Sequence, residues 1–457
     1  MKKQLFVTAL LALAFIACQT GSRQPVQTEG ANISMAPVPT WSHDAVIYEV
    51  NVRQFTPEGT FEAFATHLPR LKELGVDILW FMPIHPIGEK ERKGTLGSYY
   101  SIKDYKGVNP EFGTFEDFKA IVDKAHELGM KVFLDWVANH TAWDHPWIEQ
   151  HPEWYDRDSI GNMFAPFDWS DVAQLDYENH EMRAAMIDAL EFWVRDANID
   201  GYRCDVAGLV PFDFWEDARK ALDAIKPVYM LAEDESELVL LNNAFNSNYG
   251  WSFHHIMNAI AKGEQNATHA AEYFTNLYNT YPQGAYPMQF ITNHDENSWA
   301  ATEFERMGDA VKTFAALTFV VEGMPLIYTG QEVGMEKMLE FFEKDEVSWE
   351  DPRGMTPFYQ SLNRLKKNNT ALWNGNAGGK MELIETDTPE KVLLFTRHQN
   401  QNSVIALFNL SAETVSVTAQ TGYEGSFADY FTGAEVSMPF SGLELAPWSY
   451  KVIAINE

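Results

Sequence analysis

Four short segments carry side chains whose types and spacing suit chemistry. They are Asp135-Trp136-Val137-Ala138-Asn139-His140, Gly201-Tyr202-Arg203-Cys204-Asp205, Leu231-Ala232-Glu233-Asp234 and Asn293-His294-Asp295. Two carboxyl groups brought together can divide labour: one delivers a proton while the other, ionised, attacks a carbon or activates water. Cleavage of a glycosidic bond needs such a pair. Arg203 stands two residues from Asp205, and a nearby cation lowers a carboxyl pKa, so Asp205 is expected to be ionised. Taken singly, a strand-end Asp is as readily a helix cap, and a His after Asn a loop residue. The weight lies in the four segments together.

Such segments converge only if parallel elements carry them. The body of the chain alternates short apolar runs with helical periodicities. Thr60 caps a helix carrying Phe61, Phe64, Leu68, Leu71 and Leu74, which stops at Gly75 and is kinked or split by Pro69. Thr114 caps a second helix with Phe115, Phe118, Ile121, Val122, Ala125 and Leu128, ending at Gly129. Met182, Met186, Ala189, Leu190, Trp193 and Val194 line a third. Strands are predicted at 46–52, 77–81, 131–135, 201–206, 228–232, 288–292 and 325–328, with an eighth near 244–245. Helix, turn and strand in repetition imply parallel strands with crossover helices. Eight strands predict an α/β fold, a TIM (β/α)8 barrel, with a doubly wound open sheet as runner-up. In a barrel of this kind catalytic groups project from the carboxyl ends of the strands, where all four segments lie. Strand parity agrees: Arg203 and Asp205 face the barrel interior, and Cys204 between them faces the helices as an inert packing residue.

The rhythm breaks twice. Residues 141–180 hold many Trp, Asp and Pro and read as a short excursion after the third strand. Beyond Asn374, glycines mark a boundary, and alternating runs at 392–396 and 404–408 predict a C-terminal all-β sandwich over 375–457. The barrel is then expected over 41–140 and 181–374.

Composition limits the alternatives. The chain has 457 residues, 46% of them hydrophobic, enough for a large core. The formal net charge of −31 excludes nucleic acid as a natural partner, since phosphates demand a basic face. Lys2 and Lys3 followed by an apolar run to Ala17 read as a signal peptide over 1–17, too short to span a membrane. Phe15-Ile16-Ala17-Cys18 resembles a lipobox, although Phe15 stands where Leu is usual. Cys18 is therefore expected to be lipidated, and 18–40 to be a flexible tether. The protein is then exported, membrane-anchored by its lipid alone and monomeric. No acidic run follows Cys18, which favours the periplasmic face over the cell surface. With Cys18 so used, Cys204 has no disulfide partner.

The four segments, in this order, resemble the conserved regions of the α-amylase superfamily: Asp-x-x-x-Asn-His, Gly-x-Arg-x-Asp, a Glu, then Asn-His-Asp. Gly323 to Glu332 resembles the same family's eighth strand. The resemblance runs from about Trp41 to the C-terminus. It implies a retaining glycosidase acting on α-glucosidic, mainly α-1,4, bonds of starch-derived glucans or maltooligosaccharides. Asp205 would be the nucleophile, Glu233 the general acid/base and Asp295 the stabiliser of the transition state. Arg203 would orient Asp205, His140 and His294 would bond sugar hydroxyls, and Tyr100 would stack on the cleaved sugar, with Tyr99 its competitor. Asp135 reads as structural. Asn139 and Asp176 match calcium ligands of the family, although a solvated or capping role suits them as well. Many α-amylases carry Lys-His where this chain has Gly208 and Leu209, so a strict endo-acting amylase is not implied. Two other functions use the same features: a glucan-binding protein without catalysis, against which Asp205, Glu233 and Asp295 argue, and a transglycosylase using the same covalent intermediate.

Overall fold

The computed structural model describes residues 35–456. The signal peptide, Cys18 and most of the expected tether lie outside them. Eight parallel strands close into a barrel: β1 (Ile47–Val50), β2 (Ile78–Phe81), β3 (Lys131–Trp136), β4 (Gly201–Cys204), β5 (Tyr229–Ala232), β6 (Ser247–Tyr249), β7 (Tyr286–Gln289) and β8 (Met324–Tyr328). They lie in sequence order around the ring, and β1 pairs with both β2 and β8. The open sheet is thereby replaced by a closed one.

Alternation along each strand builds two cores. Ile47, Ile78, Trp80, Phe133, Tyr229, Leu231, Met288 and Leu326 fill the barrel interior. Their neighbours Tyr48, Leu79, Val132, Tyr202, Cys204 and Met230 face the helical layer. Arg203 thus points inward and Cys204 outward, both fully buried.

The helices are delimited as their caps require. Thr60 accepts the amide of Ala63, and Pro69 sits in the first turn of a separate helix, so the first apolar stripe becomes Phe61–Ala65 and Leu68–Leu74. Gly75 ends the second of these at φ +101°, a conformation that suits glycine. Thr114 and Asp117 form a capping box on Phe115–Glu127.

Two strands lie away from their expected positions. β6 begins at Ser247, past the predicted 244–245, because Ala244 and Phe245 pack into the helical layer, with Phe245 against Trp215 at 5.3 Å. β7 spans Tyr286–Gln289 and stops short of Ile291 and Thr292.

The excursion after β3 opens with His140–Ala142 paired antiparallel to Val172–Gln174. At the C-terminus, Met381–Leu383, Val392–Gln399, Asn402–Asn409 and Tyr450–Asn456 form a four-stranded antiparallel sheet. One face, with Phe395, Ala406, Phe408 and Val452, joins the main core. The other, with Leu394, Ile405, Leu407 and Ile453, packs on Val417, Phe440 and Leu445 of a second pair of strands. Among the described residues, no helix is long and apolar enough to cross a membrane.

Candidate active site

The carboxyl ends of the strands surround a cavity of about 510 Å³. Tyr100, His140, Asp205, Glu233, His294 and Asp295 all line it. Arg203 lies beneath them, fully buried at the end of β4.

The guanidinium of Arg203 organises the site. Its Nη1 donates to Asp205 Oδ1 and to Asp135 Oδ1, each at 2.8 Å. Its Nη2 lies 2.7 Å from Glu233 Oε1, without the alignment of a hydrogen bond. Its Nε donates to the Tyr249 hydroxyl at 3.0 Å. One rigid cation therefore spaces two carboxyls on neighbouring strands, a task suited to the planar fork of arginine.

The backbone supports the same arrangement. Val206, directly after Asp205, adopts a left-handed conformation at φ +37°, which a β-branched residue rarely does. Its amide donates to Glu233 Oε2 at 2.8 Å. Such strain costs of order 1–3 kcal/mol and is found where surrounding contacts enforce it, often in active sites. Burial raises Glu233 from 4.5 to about 8; Arg203 opposes the shift, and Asp205 and Asp295 add to it. Glu233 thus holds a proton at neutral pH beside two other carboxyls.

On the opposite flank a relay joins His294 to Asp135. His294 Nδ1 makes a short contact with Glu49 Oε1, and its backbone amide donates to Glu49 Oε2 at 3.3 Å. Burial opposes protonation of His294, but Asp295 and Glu49 overcome it and raise the ring to about 9. A charged ring donates from both nitrogens, so Nε2 donates to the Tyr100 hydroxyl at 2.8 Å. Tyr100 in turn donates to Asp135 Oδ2 at 3.0 Å, which also accepts from Trp80 Nε1 at 3.2 Å. Asp135 is fully buried and locked, in keeping with a structural role. Tyr99, by contrast, is buried outside the cavity with its hydroxyl on Asn51 at 3.0 Å.

His140 is buried, and that burial lowers its pKa, so the ring is neutral. Its Nδ1 lies 3.2 Å from Asn139 Nδ2. With that nitrogen accepting, Nε2 carries the proton, and a hydrogen bond to the Tyr100 backbone works against the lowering.

The donors expected for calcium do not form a cage. Asn139 and Gln174 pair their amides reciprocally, Nδ2 to Oε1 at 3.2 Å and Nε2 to Oδ1 at 3.1 Å. Asp176 Oδ1 accepts the amide of Glu178 at 2.9 Å, closing a local turn. Among the described residues, no group of three His, Cys, Asp or Glu side chains is placed to hold a metal, and calcium takes six to eight oxygens. Gly208 also has a local reason: a Cβ there would lie 2.3 Å from Asp234 Oδ2, so a lysine at this place would displace Asp234.

Several contributors were not singled out from the sequence. Glu49 was legible only as a lone carboxylate inside the apolar run Val46 to Val50. Trp80 and Tyr249 read as ordinary core. Trp169 and Phe341 line the cavity from loops and Trp299 from the single helical turn Glu296–Ala300, all too short or irregular for periodicity to mark them.

A closed parallel barrel with converging carboxyls at its carboxyl ends, an excursion after its third strand and a C-terminal β domain defines a (β/α)8-barrel protein with a polar, carboxylate-lined pocket. Residues 26–159 and 150–381 match the family model of the α-amylase catalytic domain. The chain is similar to a maltogenic α-amylase of Thermotoga neapolitana, at 30% identity over 91% of this chain and 99% of that one, with a TM-score of 0.83. It is similar to an α-amylase of Lactobacillus plantarum at 34% identity, over 91% of this chain and 100% of that one, with a TM-score of 0.81. The α-amylase MalA of Haloarcula japonica is 24% identical over 417 residues, which are 87% of this chain and 60% of that protein. The chain thus spans about 60% of the length of that curated relative. It belongs to the α-amylase family.

Proposed function

We propose that this protein is a retaining glycosidase cleaving α-glucosidic, mainly α-1,4, bonds in starch-derived glucans or maltooligosaccharides. One observation carries the reading: a single guanidinium, that of Arg203, bridges Asp205 and Glu233. Burial pushes the Glu233 carboxyl up, towards the protonated form that an acid needs. The names of the relatives, α-amylase and maltogenic α-amylase, support the substrate class.

Asp205 attacks the anomeric carbon while Glu233 delivers its proton to the departing glycosidic oxygen. A glycosyl ester forms on Asp205, and Glu233 is left as a carboxylate. Glu233 then takes a proton from water, whose oxygen attacks the same carbon and releases Asp205. Two inversions give net retention. Asp295 accepts from sugar hydroxyls beside the His140 and His294 rings that line the same cavity, and the ring of Tyr100 covers the sugar's apolar face. No step requires a metal. A sugar hydroxyl in place of water would give transglycosylation through the same ester.

Proton NMR of the first-formed product tests the mechanism. The α-anomer is expected; an initial β-anomer would exclude a double displacement.

We also propose that Cys18 becomes the lipidated mature N-terminus of a monomer held at the periplasmic face of a membrane. The basic and apolar leader and the small Ala17 before Cys18 support this. Cys18→Ser should release the protein from the membrane fraction; a wild-type chain that is soluble and starts elsewhere would overturn it.

A further inference from the structure

The loops on one side of the cavity carry more aromatic surface than one sugar requires. Tyr100, from the loop after β2, stacks on Phe341, from the loop after β8, with ring centroids 6.2 Å apart and planes 13° apart. Trp299, four residues beyond Asp295, meets Phe341 at 5.1 Å and Phe342 at 5.6 Å. All four rings line the cavity, and Trp299 remains 57% exposed. A large indole left in water beside a polar pocket marks a binding surface.

The barrel fixes which end of a substrate meets this row. In a ring of eight strands β5 stands across from β1, and β2 and β8 flank β1. Glu233 follows β5 and, as the acid, must face the leaving group. Tyr100, Phe341 and Phe342 come from the opposite half of the rim, so the row faces the sugar that is retained.

This half of the rim is also closed. Leu96 donates its amide to Phe342 O at 3.0 Å, and Thr95 donates its amide to Glu343 Oε1 at 2.7 Å, joining the loop after β2 to the loop after β8. Arg53, just after β1, fastens the seam by donating to Gly97 O, Leu96 O and Phe341 O at 3.2, 3.3 and 3.4 Å. Lys93 then bridges to Asp171 of the excursion at 3.0 Å.

We propose that this aromatic row and the sealed seam behind it form a blind pocket for the non-reducing end of an α-glucan, so that the enzyme trims chains from that end. The inference rests on the roles given above to Asp205 and Glu233. Trp299 and Phe341 supply the stacking faces for the ring next to the cleaved one, and the seam stops a longer chain from passing.

Two experiments test it. Maltoheptaose with a free non-reducing end is compared with the same chain blocked there by a 4,6-ethylidene acetal. The blocked chain should be cleaved at least about tenfold more slowly, and equal rates would overturn the blind pocket. In Trp299→Ala, whose exposed side chain leaves the fold intact, kcat/KM for α-maltosyl fluoride should fall about tenfold relative to α-glucosyl fluoride, as loss of one aromatic contact implies. An unchanged ratio in an active variant would overturn the role of the row. If wild type turned over neither fluoride, the fault would lie in the roles of Asp205 and Glu233 instead.

Discussion

Replacing Glu233 by glutamine should change how stability depends on pH, independently of any substrate. The folded chain holds the Glu233 proton with a pKa of about 8, against 4.5 for the free group. The folded state therefore binds this proton more tightly than the unfolded state, so Glu233 favours folding below about 4.5. That contribution is lost as pH rises from 4.5 towards 8. The full loss corresponds to roughly 5 kcal/mol at 1.36 kcal/mol per pH unit. The side chain keeps 12% of its surface in water, and relaxation of the site reduces the loss further, leaving a few kcal/mol. Glutamine has no such proton to lose. It can accept from the Val206 amide as Glu233 does, and any misfit against Arg203 is an offset independent of pH. Urea unfolding of both proteins at about pH 5 and about pH 9 isolates the effect, because every other titrating group is shared. The unfolding free energy of Glu233→Gln should gain on that of wild type by a few kcal/mol between the two conditions. Parallel pH dependence in both would refute the raised pKa and, with it, the idea that Glu233 is a resident acid.

Three further outcomes follow from the same contacts. Glu49→Gln removes one of the two carboxylates that raise His294, so NMR titration should place that ring below its wild-type value of about 9; an unmoved titration would break the relay. Chelation by EDTA should leave the melting temperature unchanged, since Asn139 is satisfied by Gln174 and Asp176 by a local turn; a fall of several degrees, reversed by calcium, would show a cage that these donors do not form. Gly208→Lys should destabilise the fold by about 1–3 kcal/mol through its clash with Asp234, measured by urea unfolding, and a neutral effect would mean that Asp234 moves freely.

The barrel was legible where strands are apolar and helices carry caps. Thr114 and the runs ending at Phe81 and Asp135 state their elements outright. β6 lies beyond its expected place because Ser247-Asn248-Tyr249 is polar: Ser247 accepts from the Tyr229 hydroxyl at 2.8 Å and Tyr249 serves Arg203, so no apolar run marks the strand. Phe245, the apolar signal nearby, belongs to the helical layer. The residues placed in the pocket were legible because they fall at strand ends in one order. Their supports were not. Glu49 reaches His294 across 245 positions of sequence, and Gln174 meets Asn139 across 35. The aromatic row is assembled from two loops and the helical turn Glu296–Ala300, which only closure of the barrel brings together.

Trapping the covalent intermediate tests the central claim most directly. Glu233→Gln treated with α-glucosyl fluoride, whose fluoride departs without an acid, should still glycosylate but turn over slowly, because no base remains to activate water. Mass spectrometry should then find one glucosyl residue esterified to the peptide containing Asp205, and the double variant Asp205→Asn, Glu233→Gln should carry none. A sugar on any other residue, or an adduct that persists when Asp205 is replaced, would contradict the assignment of Asp205 as nucleophile and Glu233 as acid.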